Sequence, residues 1–138
     1  MEPFRHTFRV RYAEVDPQSV VFNSRYLEYA DILVSEHFRD ARSRGMPKDV
    51  EFHVRKAEVD YLAPIRLDEL IEGRLTVEAI GTSSMKTLIT LHGAEDGSLR
   101  AEIRLLTVHV DLPEGRPTPV PDTVRRAFGF PARETVDG

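Results

Sequence analysis

The sequence predicts an α+β domain in which a curved antiparallel sheet wraps around one long central helix. Three observations lead there. One stretch, Tyr26 to Ala41, carries apolar residues at steps of three and four. A single alternating segment precedes it, and four alternating segments joined by short turn sequences follow it. A lone helix with a wide apolar face cannot bury itself, so the strands must curve around it.

The elements follow in order. Residues 4 to 12 place Phe4, His6, Phe8, Val10 and Tyr12 on one side and Arg5, Thr7, Arg9 and Arg11 on the other, a half-buried first strand. In the helix, Tyr26, Leu27, Tyr29, Ala30, Leu33, Val34, His37, Phe38 and Ala41 fill one side, opposite Arg25, Glu28, Asp31, Ser35, Glu36, Arg39 and Arg42. This stripe covers about half the circumference, wider than the roughly 100° of an ordinary surface helix, so a large surface must meet it. Asn23 or Ser24 is placed to cap its start, and Gly45 and Pro47 to stop it. Ile32 lies among the polar residues, either as a subunit contact or as a lone exposed aliphatic.

Residues 52 to 62 form a second strand whose apolar phase switches between Phe52/Val54 and Ala57/Val59/Tyr61, which predicts a bulge near Arg55 and Lys56. A third strand runs from Ile71 to Ala79. The Gly81-Thr82-Ser83-Ser84 turn leads into a fourth, from Met85 to Leu91. Asp96-Gly97 signals a hairpin into a fifth, from Leu99 to about Asp111, whose second half is apolar on both faces and so belongs inside the sheet. The prolines between Pro113 and Pro121 exclude regular structure, and a short helix at about Asp122 to Phe128 is placed to cover a sheet edge.

The chain of 138 residues reads as a single domain, 1–138, with no repeat or linker. Its 19 basic and 23 acidic residues give a net charge of −4 spread along the chain, which argues against a nucleic-acid binder. There is no cysteine, hence no disulfide framework, thiolate zinc site or cysteine nucleophile. No apolar run suits a signal core or a membrane span, and the expected compartment is the cytoplasm.

Chemistry narrows by elimination. The histidines His6, His37, His53, His92 and His109 show no metal-binding spacing, so no metal is expected. Ser83 and Ser84 lack a nucleophile elbow, and no phosphate loop or dinucleotide fingerprint is present, so no cofactor is expected. What remains is Asp16-Pro17 just ahead of the helix. Proline keeps Asp16 in extended or turn backbone, and the Asn23 and Ser24 amides at the helix start suit a developing negative oxygen. Two readings of Asp16 stand side by side, a reactive carboxylate and a simple turn opener.

The strings RYAEVDPQSVVFNSRYLEYAD (residues 11–31), KAEVDYLAPIRLDELIEGRLTV (56–77) and GTSS (81–84) resemble the hotdog-fold acyl-CoA thioesterases, in particular the 4-hydroxybenzoyl-CoA thioesterase family. The resemblance runs from about Phe8 to Val110 and is most specific in the D-P-x-x-V-V-F-N-x-x-Y-L portion. It implies a hotdog fold and thioester hydrolysis. The family aspartate falls on Asp16, and the helix-start amide that polarises the thioester carbonyl falls on Asn23.

The same resemblance implies an acyl-CoA substrate and a homodimer that pairs again into a homotetramer. The acyl pocket would lie between the two helices, and coenzyme A would run over the neighbouring subunit. Ser19, Tyr26, Val59, Tyr61, Ser84 and Lys86 are substrate-binding candidates by position, and Arg55, Lys56 and Lys86 are candidates for a polyanionic tail. Many relatives carry glycine where this chain has Ser19, and tyrosine-histidine where it has Phe22-Asn23. Two rival functions keep the fold: a non-catalytic acyl or coenzyme A binding module, and an acyl-carrier-protein thioesterase.

Overall fold

Five antiparallel strands form one sheet in the order β1-β3-β4-β5-β2: β1 (Phe4–Arg9), β2 (Phe52–Tyr61), β3 (Leu70–Ile80), β4 (Ser84–Gly93) and β5 (Leu99–His109). The helix α1 (Tyr26–Ser43) lies in the concave face, and a short helix α2 (Asp122–Ala127) follows the proline-rich segment. This computed structural model describes residues 2–133.

Period-two alternation decides which side chains meet α1. Leu75, Ile89 and Ile103 form one row across β3, β4 and β5, and Val77, Thr87, Leu105 and Ala57 form the next, extended onto β2. The phase switch in β2 is resolved as expected, by a register shift between Val54 and Lys56 that leaves Arg55 without a partner on β5. β5 is the interior strand its apolar second half demands, flanked by β4 and β2.

α1 docks closely at Gly73, where an added Cβ would sit 2.4 Å from Leu33 Cδ2, so only glycine admits the fully buried Leu33 side chain. The helix ends in a Schellman motif. Gly45 has φ 105°, its N–H donates to the Arg42 carbonyl, and the Met46 N–H donates to that of Ala41. Met46 and Ala41 then pack in a second apolar cluster with Met85, Val120, Val124 and Phe128.

Several local expectations are corrected. The first strand stops at Arg9, because the Arg11 N–H is taken by the Glu14 carboxylate and the chain tightens into a 3₁₀ turn at Tyr12–Glu14. Tyr12 is therefore 82% exposed rather than facing the core. Ile32 is neither fully exposed nor idle; it packs half-buried against the main core. α2 does lie on a sheet edge, against the part of β3 beyond Leu75 that β1 does not pair. It closes the core beyond the α1 C-terminus, and the buried Arg125 guanidinium donates to the Ile80 and Gly81 carbonyls. Among the described residues no helix is long and apolar enough to cross a membrane.

Candidate active site

The acidic stretch folds into a three-residue hairpin loop. The Asp16 N–H donates to the Val20 carbonyl at 2.8 Å, and the Ser19 N–H returns to the Asp16 carbonyl at 2.9 Å. One carboxylate oxygen, Asp16 Oδ1, accepts the Gln18 N–H at 2.8 Å, an Asx turn that fixes the side chain at χ1 while leaving the second oxygen outside this bond. Ser19 sits at φ 62°, in the left-handed region that glycine occupies without penalty. This is a conformational reason for glycine at that position in relatives, and Ser19 accepts the strained backbone in its place.

Main-chain bonds seat the hairpin. Val21 donates to the Ile65 carbonyl at 2.8 Å, Leu67 donates to that of Ser19 at 3.2 Å, and Val20 forms a bridge with Arg66. The 62–69 loop is in turn clamped by Arg100. Its guanidinium meets Glu69 at 2.7 Å and donates to the Pro64 carbonyl at 3.0 Å. The Arg100 hydrogen bond holds the Glu69 carboxyl below its ordinary range.

The helix start differs from expectation. Neither Asn23 nor Ser24 caps it through a side chain; the chain enters through a 3₁₀ turn, Asn23–Arg25, in which Arg25 donates to the Phe22 carbonyl and Tyr26 to that of Asn23. Among the described residues no protein acceptor meets the Asn23 or Ser24 N–H, so both donors of the first turn are open. Tyr61, at the end of β2, donates its hydroxyl to the Asn23 carbonyl at 2.9 Å, and its ring packs edge-on against the buried Tyr26 at 4.8 Å and 72°. Burial raises the Tyr26 phenol above its ordinary value.

Glu14, two residues before Asp16, escapes sequence reasoning. It is 5% exposed, accepts the Arg11 backbone N–H at 2.8 Å and the Tyr29 hydroxyl at 3.0 Å, and pairs with the Arg11 guanidinium at 3.0 Å. Burial pushes its carboxyl up, but these donors outweigh burial and hold it below the ordinary range. The Glu14 carbonyl also accepts the Phe22 N–H at 3.0 Å, which ties the strand carrying Asp16 to the segment entering the helix. The only sequence signal is an Arg and a Glu three residues apart.

Asn23, Tyr26 and Tyr61 thus meet at the leading end of α1, and Asp16 and Ser19 lie on the hairpin that runs into it. Val59 lies two residues earlier on β2, half-buried against the main core. Ser84 and Lys86 do not join them within one chain. They pair with Val108 and Leu106 near the trailing end of α1 and alternate with the buried Met85 and Thr87, so they leave from the outer face. Arg55 is exposed in the bulge, and Lys56 pairs with Glu58 at 2.9 Å. Among the described residues no group of three histidine, aspartate or glutamate side chains could hold a metal ion.

Between α1 and the sheet runs an apolar groove of about 470 Å³. It explains the unusually wide apolar stripe of the helix. Tyr29, Ala30 and Leu33 press onto the strands, while Leu27, Val34 and Phe38 line the groove above the row formed by Val77, Thr87, Leu105 and Ala57. Leu27 is only one turn beyond Asn23, so the groove opens beside the free amides.

Comparison with known proteins bears on the family and the fold. Residues 10–128 match the Thioesterase-like superfamily. The acyl-CoA thioester hydrolase YbgC of Escherichia coli is 29% identical over 128 residues, covering 91% of this chain and 95% of that protein. A Thermus thermophilus thioesterase, solved with coenzyme A and zinc, superposes with TM-score 0.79 at 26% identity, over 94% of this chain and 99% of that one. A 1,4-dihydroxy-2-naphthoyl-CoA thioesterase from Synechocystis shares the fold at TM-score 0.80 and 20% identity, over 91% and 95% of the two chains. With its five-stranded sheet curved around α1 and its match along most of its length, the chain belongs to the Thioesterase-like superfamily and has the hotdog fold.

Proposed function

We propose that the protein hydrolyses acyl-CoA thioesters at the leading end of α1, with Asp16 as nucleophile or general base and the Asn23 N–H as the donor that polarises the thioester carbonyl. The observation that carries this reading is the pairing of a carboxylate on a pinned hairpin with two open amide donors at the adjacent helix start. A thioester carbonyl has little resonance stabilisation, so one base and one or two oriented donors are adequate machinery. Acting as base, Asp16 takes a proton from water as the oxygen attacks carbonyl carbon; the C–S bond breaks and the coenzyme A thiolate is reprotonated. Acting as nucleophile, it forms a mixed anhydride that water then opens.

A second copy of the chain fits the same reading. β2 is the sheet edge on the groove side. It leaves ten residues without a strand partner on their outer side and Val54 and Tyr61 62% and 53% exposed. Pairing with β2 of another copy would continue the sheet and remove an edge open to non-specific association. It would also bring outer-face groups of a neighbour, such as Ser84 and Lys86, within the same assembly.

Thiol release from aliphatic and aromatic acyl-CoAs tests the chemistry. Asp16→Asn should lose about a thousandfold in kcat, the scale of general-base and nucleophile deletions, with its fold intact by circular dichroism. Turnover equal to wild type would remove Asp16 from the mechanism. Saturable acyl-CoA binding by the wild type without thiol release would instead make the protein a non-catalytic binding module.

A further inference from the structure

Two cavities share one wall. Besides the apolar groove, a second cavity of about 460 Å³ lies between the trailing half of α1, β1, β3 and the segment after α2, with Phe4, Phe128 and Phe130 among its lining. His37, Leu75 and Val77 line both cavities. Leu75 and Val77 belong to the sheet floor, so the side chain standing between the two spaces is the one that descends from the helix, His37.

That side chain is firmly set. His37 is 9% exposed, its ring stacks on Phe128 at 4.9 Å and 24°, and Phe4 lies at 5.1 Å. Resting on the thioesterase reading above, we infer that the groove receives the acyl chain and that His37 is the side wall that keeps it out of the second cavity, the residue that limits how large an acyl group is hydrolysed.

The dimensions suit an aliphatic tail. Along the helix the groove is lined from Leu27 past His37 to Phe38 and Arg42, so His37 stands at its side, between it and the second cavity. Leu27, Val34, Phe38, Val54 and Leu105 line the groove with apolar surface that can bury methylenes, and its charged groups are Asp31, Arg42 and Glu51. Burial lowers the His37 imidazole to about 4, so at neutral pH the partition is an uncharged ring. Beyond it the second cavity is walled by Phe4, Phe128 and Phe130 and rimmed by Asp40, Arg44 and Arg126. Shortening residue 37 therefore joins the two spaces.

The test is a chain-length profile. kcat/KM is measured for saturated acyl-CoAs from four to eighteen carbons with wild type, His37→Ala, His37→Phe and Phe128→Ala. Each methylene that enters the groove should raise kcat/KM about fourfold until the tail meets the wall. In His37→Ala the rise should continue for about two to four more carbons, matching the space that the imidazole vacates and the cavity it opens. His37→Phe, which keeps a ring at the partition, should keep the wild-type cut-off. Should His37→Ala fail to fold, Phe128→Ala must produce the same extension, because it removes the ring that backs His37. Superimposed profiles for folded variants overturn the inference alone. Absence of thiol release by the wild type from every chain overturns the thioesterase reading and this inference with it.

Discussion

His37 offers a second, independent measurement, of stability against pH. In the folded chain its imidazole titrates at about 4 rather than near 6.5, first because burial disfavours the cation, then because Arg44 repels it; Asp40 pulls weakly the other way. The folded state therefore holds its proton less tightly than the unfolded state. Between those two values the unfolded chain binds more protons, so stability is greatest above about pH 6.5 and is lost as pH falls toward 4.

Carried from pH 7 to pH 4.5, this single group should cost about 2 kcal/mol, several degrees in Tm for a domain of this size. Carboxylates such as Glu14, Glu69 and Glu72, whose folded values are depressed, lose stability too, mainly below about pH 4.5. The clean quantity is thus a difference. The stability gap between wild type and His37→Phe, from urea unfolding at several pH values, should move by about 2 kcal/mol in favour of the variant on acidification. A gap that stays constant from pH 7 to 4.5 would show that the ring is not held neutral by its surroundings, and the reasoning would fail.

Two further outcomes follow from other contacts. Tyr61→Phe removes the hydroxyl that holds the Asn23 carbonyl but keeps the ring on Tyr26. kcat should fall about fivefold, the value of one neutral hydrogen bond, with KM nearly unchanged; a rise in KM at constant kcat would assign Tyr61 to substrate binding instead. The exposed edge of β2 should pair, so light scattering should give twice the chain mass, and Val54→Lys should shift the protein toward monomer. A wild-type monomer at tens of micromolar would refute that pairing.

Much of this structure is legible in the sequence because it is written in short-range patterns. The strands announce themselves by alternation, the β2 bulge by a change of parity, and the helix stop by Gly45. The acid and the helix-start amides lie seven residues apart in the chain, on a hairpin and the 3₁₀ turn that follows it. What escapes is long-range. Nothing in the text around Asn23 says that Tyr61, 38 residues later, will hold its carbonyl.

Elsewhere tertiary contacts override local signals. Tyr12 continues an alternating run, yet Glu14 captures the Arg11 N–H and ends the strand. The cap expected of Asn23 or Ser24 is replaced by a 3₁₀ entry. Ser84 and Lys86 share a sequence neighbourhood with family motifs, but the sheet carries them to the far end of α1. Glu14 itself, in a segment read as an acidic turn, becomes a buried carboxylate only because Tyr29 folds onto it from the helix.

The hairpin that carries Asp16 is stitched to the 62–69 loop by peptide groups rather than by side chains. Pro17, Gln18, Arg66 and Leu67 stand on that seam without supplying its rungs through their side chains. The lip of the site is thus free to be re-lettered while the acid keeps its bearing. On the proposed reading of Asp16, preference for one substrate over another can be retuned there without rebuilding the chemistry beneath.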